Sequence, residues 1–65
     1  MDLTFGDKMI VLRKRKKIPR VLLAKKIGVS PASITNYEND VYKPSYKVLV
    51  RISDYFEVTT DFLLK

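Results

Sequence analysis

An all-α domain of five short helices is predicted for these 65 residues by three features. Apolar residues return at helical spacing in separate stretches, capping residues stand at the ends of those stretches, and none alternates as a strand would. Thr4 can cap a first helix, with Asp7 in its first turn to favour the N-terminal dipole. Phe5, Met9 and Leu12 follow at i, i+4 and i+7 as a core stripe. This helix should end near Lys16, and Ile18-Pro19 leads into a second helix over about 20–27. Leu23 and Ile27 lie one turn apart there, beside the small Ala24. Gly28 can take the left-handed conformation that ends a helix and reverses the chain. Val29 offers one apolar side chain to the interior. Ser30 is a good N-cap, and Pro31 suits the first position of a third helix over about 31–38. Asn39 to Pro44 reads as a loop, and Ser45 caps a fourth helix with Leu49, Ile52 and Phe56 inward. Val58-Thr59 opens a last short helix carrying Phe62 and Leu63. With no repeat and no low-complexity linker, residues 1–65 read as one domain.

Helices two and three, joined by the turn at Gly28, form a helix-turn-helix unit over about 19–38. The second helix of such a unit is shaped for the DNA major groove. Here Ile34 and Tyr37 face inward, leaving Ala32, Thr35, Asn36 and Asn39 outward. Charge agrees with a polyanion partner. Up to Lys26 there are nine Lys/Arg against Asp2 and Asp7, a net +7; the remainder has four basic and five acidic residues, a net −1. Clustered basic charge displaces condensed counterions from phosphates, although a charge run alone fits a solvated helix face equally well. The absence of cysteine and histidine leaves no disulfide framework and no zinc site. It also removes the commonest general base and thiol nucleophile, so no enzyme, metal or cofactor is expected. No apolar run approaches the roughly 20 residues that span a bilayer, and no signal-peptide pattern is present. A cytoplasmic, nucleoid-associated protein is expected. Met1 reads as a native start, and the chain fits either a small regulator or the DNA-binding domain of a longer protein.

Nearly the whole chain resembles the Cro/CI-type (XRE-family) helix-turn-helix domain. The residues that carry the resemblance are Gly6, Met9, Leu12-Arg13, Ile18, Leu23-Ala24, Ile27-Gly28-Val29-Ser30, Ile34, Tyr37-Glu38, Pro44-Ser45, Leu49, Ile52, Phe56, Val58, Asp61 and Leu63, in order and at the usual spacing. The resemblance implies a lambda-repressor-like five-helix fold and a bacterial or phage regulator that binds operator DNA as a homodimer. Three departures stand out. Lys17 and Asp40 occupy positions where the family has glycine and a positive φ is expected, a conformation costlier for Lys than for Asp. Pro19 replaces the usual Ser/Thr cap of helix two. Ile10, Val11, Val21 and Leu22 stand where the family is polar, either as core enlargement, as scattered surface apolars or as a partner-binding patch.

Site residues follow from the same resemblance. Arg13 and Glu38 match a pair that would lock helix three against helix one; otherwise they are independent surface charges. Arg20 matches a DNA-backbone contact, with Ser30, Thr35, Asn39 and Lys43 as further backbone contacts. Base readout falls on Pro31, Ala32 and Asn36. Asn can bind adenine through N6 and N7, whereas Pro31 and Ala32 offer only apolar contact, for instance to a thymine methyl. So sparse a reading head leans on DNA shape. Phe62 and Leu63 are the expected dimer surface. The leading function is a sequence-specific double-stranded DNA-binding regulator on an inverted-repeat operator, a repressor or the antitoxin or controller of a small operon. The alternative is a protein-interaction module using Ile10, Val11, Val21 and Leu22. Non-specific DNA or RNA binding is a third use of the charge.

Overall fold

The computed structural model describes residues 2–65. Among them are five helices and no strand: α1 (Phe5–Arg15), α2 (Arg20–Ile27), α3 (Pro31–Glu38), α4 (Tyr46–Phe56) and α5 (Thr60–Leu64). Local chemistry starts most of them. Thr4 and Asp7 form a reciprocal capping box on α1, and Ser30, Ser45 and Thr59 each accept a backbone N–H at the head of α3, α4 and α5. Only α2 begins without a side-chain cap, because Pro19 has none to give.

One core joins all five helices. Phe5, Met9 and Leu12 of α1 meet Leu23, Ala24 and Ile27 of α2, Ile34 and Tyr37 of α3, Leu49, Ile52 and Phe56 of α4, and Leu63 of α5. In α1 to α4 the helical spacing of these residues gives each helix one buried face, and α5 adds Leu63. Ile18, Val29, Val48, Tyr55 and Val58 close its margins. Ile10 is half-buried, while Val11, Val21 and Leu22 are exposed, so these four do not enlarge the core.

Three non-glycine residues hold positive φ: Lys17 (55°), Asp40 (58°) and Glu57 (56°). Glu57 ends α4, and the Val58 N–H returns 3.0 Å to the Ser53 carbonyl as in a Schellman stop. The sequence pattern marks Lys17 and Asp40 but not Glu57.

Asp40 gains something that a glycine could not supply. Its carboxylate accepts the Thr4 hydroxyl at 2.6 Å and the Gly6 N–H at 2.9 Å, so the loop after α3 holds the first turn of α1. The hydrogen bond from Thr4, then that from Gly6, keeps this carboxyl below its ordinary value of 3.8. A carboxylate with a depressed value stabilises the fold above the ordinary value, and that contribution is lost as pH falls through the depressed one. Asp40→Asn, which tolerates the same backbone conformation, should therefore flatten the fall of melting temperature below about pH 4. Parallel acid limbs for the two proteins would mean that the carboxylate is not coupled to folding.

Candidate nucleic-acid interface

The turn between α2 and α3 is built by backbone hydrogen bonds. Gly28, at φ 85°, and Val29 both donate to the Ala24 carbonyl, at 2.8 and 3.0 Å. Arg51 reaches across from α4 and donates to the Ile27 carbonyl at 3.4 Å, covering the end of α2. Ser30 then starts α3 by accepting the Ser33 N–H at 3.2 Å, with Pro31 in the first turn. On the inner face Ile34, Tyr37 and Glu38 are buried. On the outer face Pro31, Ala32, Thr35 and Asn39 are exposed and Asn36 is half-buried. The result is a short helix seated on its apolar side and open along the other.

Glu38 fastens the C-terminal end of that helix. Its carboxylate takes Arg13 Nε at 2.7 Å and Nη2 at 3.3 Å, a two-point contact, and Arg20 Nε at 2.8 Å. Arg13 also donates to the Ile18 carbonyl at 3.0 Å. The Glu38 side chain is fully enclosed, with 0% of its surface exposed against 11% for Arg13 and 48% for Arg20. One buried carboxylate thus binds α1 and the head of α2 to the foot of α3, and Arg13 carries the α1–α2 loop with it. Sequence reasoning joins Arg13 to Glu38 but gives Arg20 to the DNA backbone alone. In the structure Arg20 is the second arm of the cluster, and about half of its side chain still faces solvent.

α1 comes close enough to complete this seat because residue 6 is glycine. A Cβ there would stand 2.8 Å from the Tyr37 carbonyl oxygen and nearer still to that of Glu38. The pattern includes Gly6 without a reason; close backbone approach is the reason.

The remaining predicted residues fall as follows. Ser30 and Ser33 hydroxyls lie 3.0 Å apart, Thr35 donates to the Pro31 carbonyl at 3.4 Å, and Lys43 is exposed in the loop after α3. Asn36 Nδ2 donates to the Tyr42 hydroxyl at 3.2 Å, a partner the sequence does not signal. Phe62 is 47% exposed, but Leu63 is only 1% exposed and lies in the core. Leu63 is therefore corrected from dimer surface to core: the two residues are adjacent on a helix and point about 100° apart, and packing turns Leu63 inward while Phe62 stays outside. Phe62 and Leu64 are both exposed, on different faces of α5. The Phe62 carbonyl accepts Lys8 Nζ at 2.7 Å, which ties α5 to α1 and accounts for a buried lysine. Among the described residues no group of acidic, His or Cys side chains could hold a metal ion, and no helix is long and apolar enough to cross a membrane.

Two packed helices around a left-handed glycine, with the second anchored beneath and open above, define a helix-turn-helix domain. The chain belongs to the XRE-type helix-turn-helix family, whose sequence pattern matches residues 11–63. It is 36% identical over 61 residues to an uncharacterized HTH-type transcriptional regulator, YqaE, of Bacillus subtilis, covering 94% of this chain and 53% of that one. To the repressor protein C2 of Salmonella phage P22 it is 32% identical over 60 residues, covering 92% of this chain and 28% of the repressor. The chain thus spans about half the length of the first relative and about a quarter of the second. Its fold superposes on the crystal structure of the P22 c2 repressor in complex with a synthetic operator with a TM-score of 0.95. That match has 30% identity and covers 98% of this chain and 97% of the other.

Proposed function

We propose that this chain is a sequence-specific double-stranded DNA-binding module of a transcriptional repressor, reading the major groove with α3. The observation that carries the reading is the seating of α3. Arg13 and Arg20 hold its foot through Glu38, while Pro31, Ala32, Thr35 and Asn36 line the face turned away from the core. A recognition helix must be rigid relative to its scaffold, because base-edge contacts tolerate little misplacement. The net +7 up to Lys26 adds the attraction to phosphate that such a helix needs. The likeness to a repressor solved on a synthetic operator supports the same reading. Pro31, Ala32 and Asn36 meet base edges, while Arg20, Ser30, Thr35, Asn39 and Lys43 meet the backbone. The protein acts as a homodimer through exposed Phe62, on an inverted repeat, in the cytoplasm at the nucleoid.

Selection from a random DNA pool tests this. An inverted repeat should be enriched, with half-sites about 34 Å apart, and footprint titration should fill both together. Enrichment of nothing would favour the second use of the fold, a protein-binding face at exposed Val11, Val21 and Leu22 with Ile10 at its edge. Single substitutions then separate the roles. Asn36→Ala should cost about 1–3 kcal/mol and relax preference at one base pair. Lys43→Ala should weaken cognate and scrambled DNA alike and lower the salt slope by about one phosphate. Arg20 is a poorer probe of phosphate contact, since it also holds Glu38. A change of base preference in Lys43→Ala but not in Asn36→Ala would reverse the orientation assigned to α3.

A further inference from the structure

Tyr42 stands in the loop that leaves α3, and no sequence motif gives it a role. Its ring meets that of buried Tyr37 edge-on, with centroids 5.6 Å apart and planes at 83°. That contact sets where the phenol oxygen lies before any partner arrives. The oxygen accepts the hydrogen bond from Asn36 Nδ2 at 3.2 Å. We infer that Tyr42 is a positioning residue for base readout: by tethering the Asn36 amide it sets the domain's preference for adenine at one position of its site. The inference rests on Asn36 being a base contact.

A carboxamide carries one acceptor oxygen and two N–H donors. With one N–H given to Tyr42, one N–H and the oxygen remain, the pair that a two-point contact to adenine N7 and N6 requires. Guanine presents two acceptors, O6 and N7, of which an amide with one free N–H can serve only one. An untethered amide could turn both N–H groups toward guanine, and it would lose more rotamer freedom on binding either base. The tether therefore acts on the choice between adenine and guanine, and it leaves backbone contacts untouched.

Tyr42→Phe keeps the ring against Tyr37 and removes only the oxygen. Its melting temperature and its affinity for scrambled DNA should match the parent. Its preference for adenine over guanine should fall roughly threefold to tenfold at one position, the worth of one hydrogen bond. Asn36→Ala should lose preference at that same position, and the double substitution should go no further. Unchanged preference in Tyr42→Phe beside lost preference in Asn36→Ala would overturn the positioning role while leaving Asn36 a base contact. No change in Asn36→Ala at any position would overturn the base contact, and the inference with it. A shift caused by Tyr42→Phe in the Asn36→Ala background would make Tyr42 a base contact itself and overturn the inference.

Discussion

Glu38→Ala is expected to lower the unfolding free energy by about 3–4 kcal/mol, the largest loss available from a single charged residue here. The fully enclosed carboxylate faces two guanidiniums, and its removal leaves Arg13, almost as deeply placed, without its partner. A domain of this length has only about 3–10 kcal/mol in total. The three partners should not be equivalent. Arg13→Ala should cost about 2 kcal/mol, because Arg20 still faces the carboxylate, and half-exposed Arg20 about 1 kcal/mol or less, because solvent screens it. Removing Arg13 and Glu38 together should cost less than the sum of the singles, since no charge is then left unpaired. Urea denaturation of the parent and the four variants measures this. Single substitutions within about 0.5 kcal/mol of the parent would make the cluster an ordinary set of surface charges. For the Arg13 and Glu38 variants DNA affinity should fall with the folded fraction and return on cooling or with a stabilising osmolyte.

Gly6→Ala is expected to destabilise by about 3 kcal/mol, against the sign that helix propensity gives. In an exposed helix interior the same change would stabilise by about 1 kcal/mol. Here the added methyl meets the backbone carbonyls of Tyr37 and Glu38, which cannot rotate away as a side chain tip can. Relief requires α1 and α3 to separate, and separation opens the Arg13–Glu38 contact as well. The substitution should therefore lower stability and also loosen the seat of α3. Amide hydrogen exchange at Ile34 and Tyr37 would report the second effect. A neutral or stabilising Gly6→Ala would mean that α1 and α3 part easily.

Helix-by-helix organisation was legible in the residues because it is local. Thr4, Ser30, Ser45 and Thr59 sit next to the N–H groups they cap, and Gly28 alone of its neighbours tolerates φ 85° without strain. Periodicity likewise picked out Phe5, Met9, Leu12, Ile34, Tyr37, Leu49, Ile52 and Phe56 for the core, since burial of one helix face depends on spacing alone. Spacing is silent where a helix is short. In the five residues of α5 it could not choose between Phe62 and Leu63, and packing against α1 and α4 turned Leu63 inward.

Five helices, the caps that start four of them, the glycine-pivoted turn, the family and the positive N-terminal half were legible in the residues alone. The helices, caps and turn follow from a residue's own conformational preference or from neighbours within two turns, the family from a resemblance over nearly the whole chain, and the charge from composition. The tertiary structure alone decided which distant side chains meet: Asp40 with the head of α1, Arg20 with Glu38, Lys8 with the Phe62 carbonyl, and Gly6 with the carbonyls of α3. It also decided how the loop after α3 folds back, placing the Tyr42 hydroxyl on Asn36. Those contacts depend on how the helices cross and on where each loop returns. Burial of the whole core sets that geometry, and no local preference encodes it.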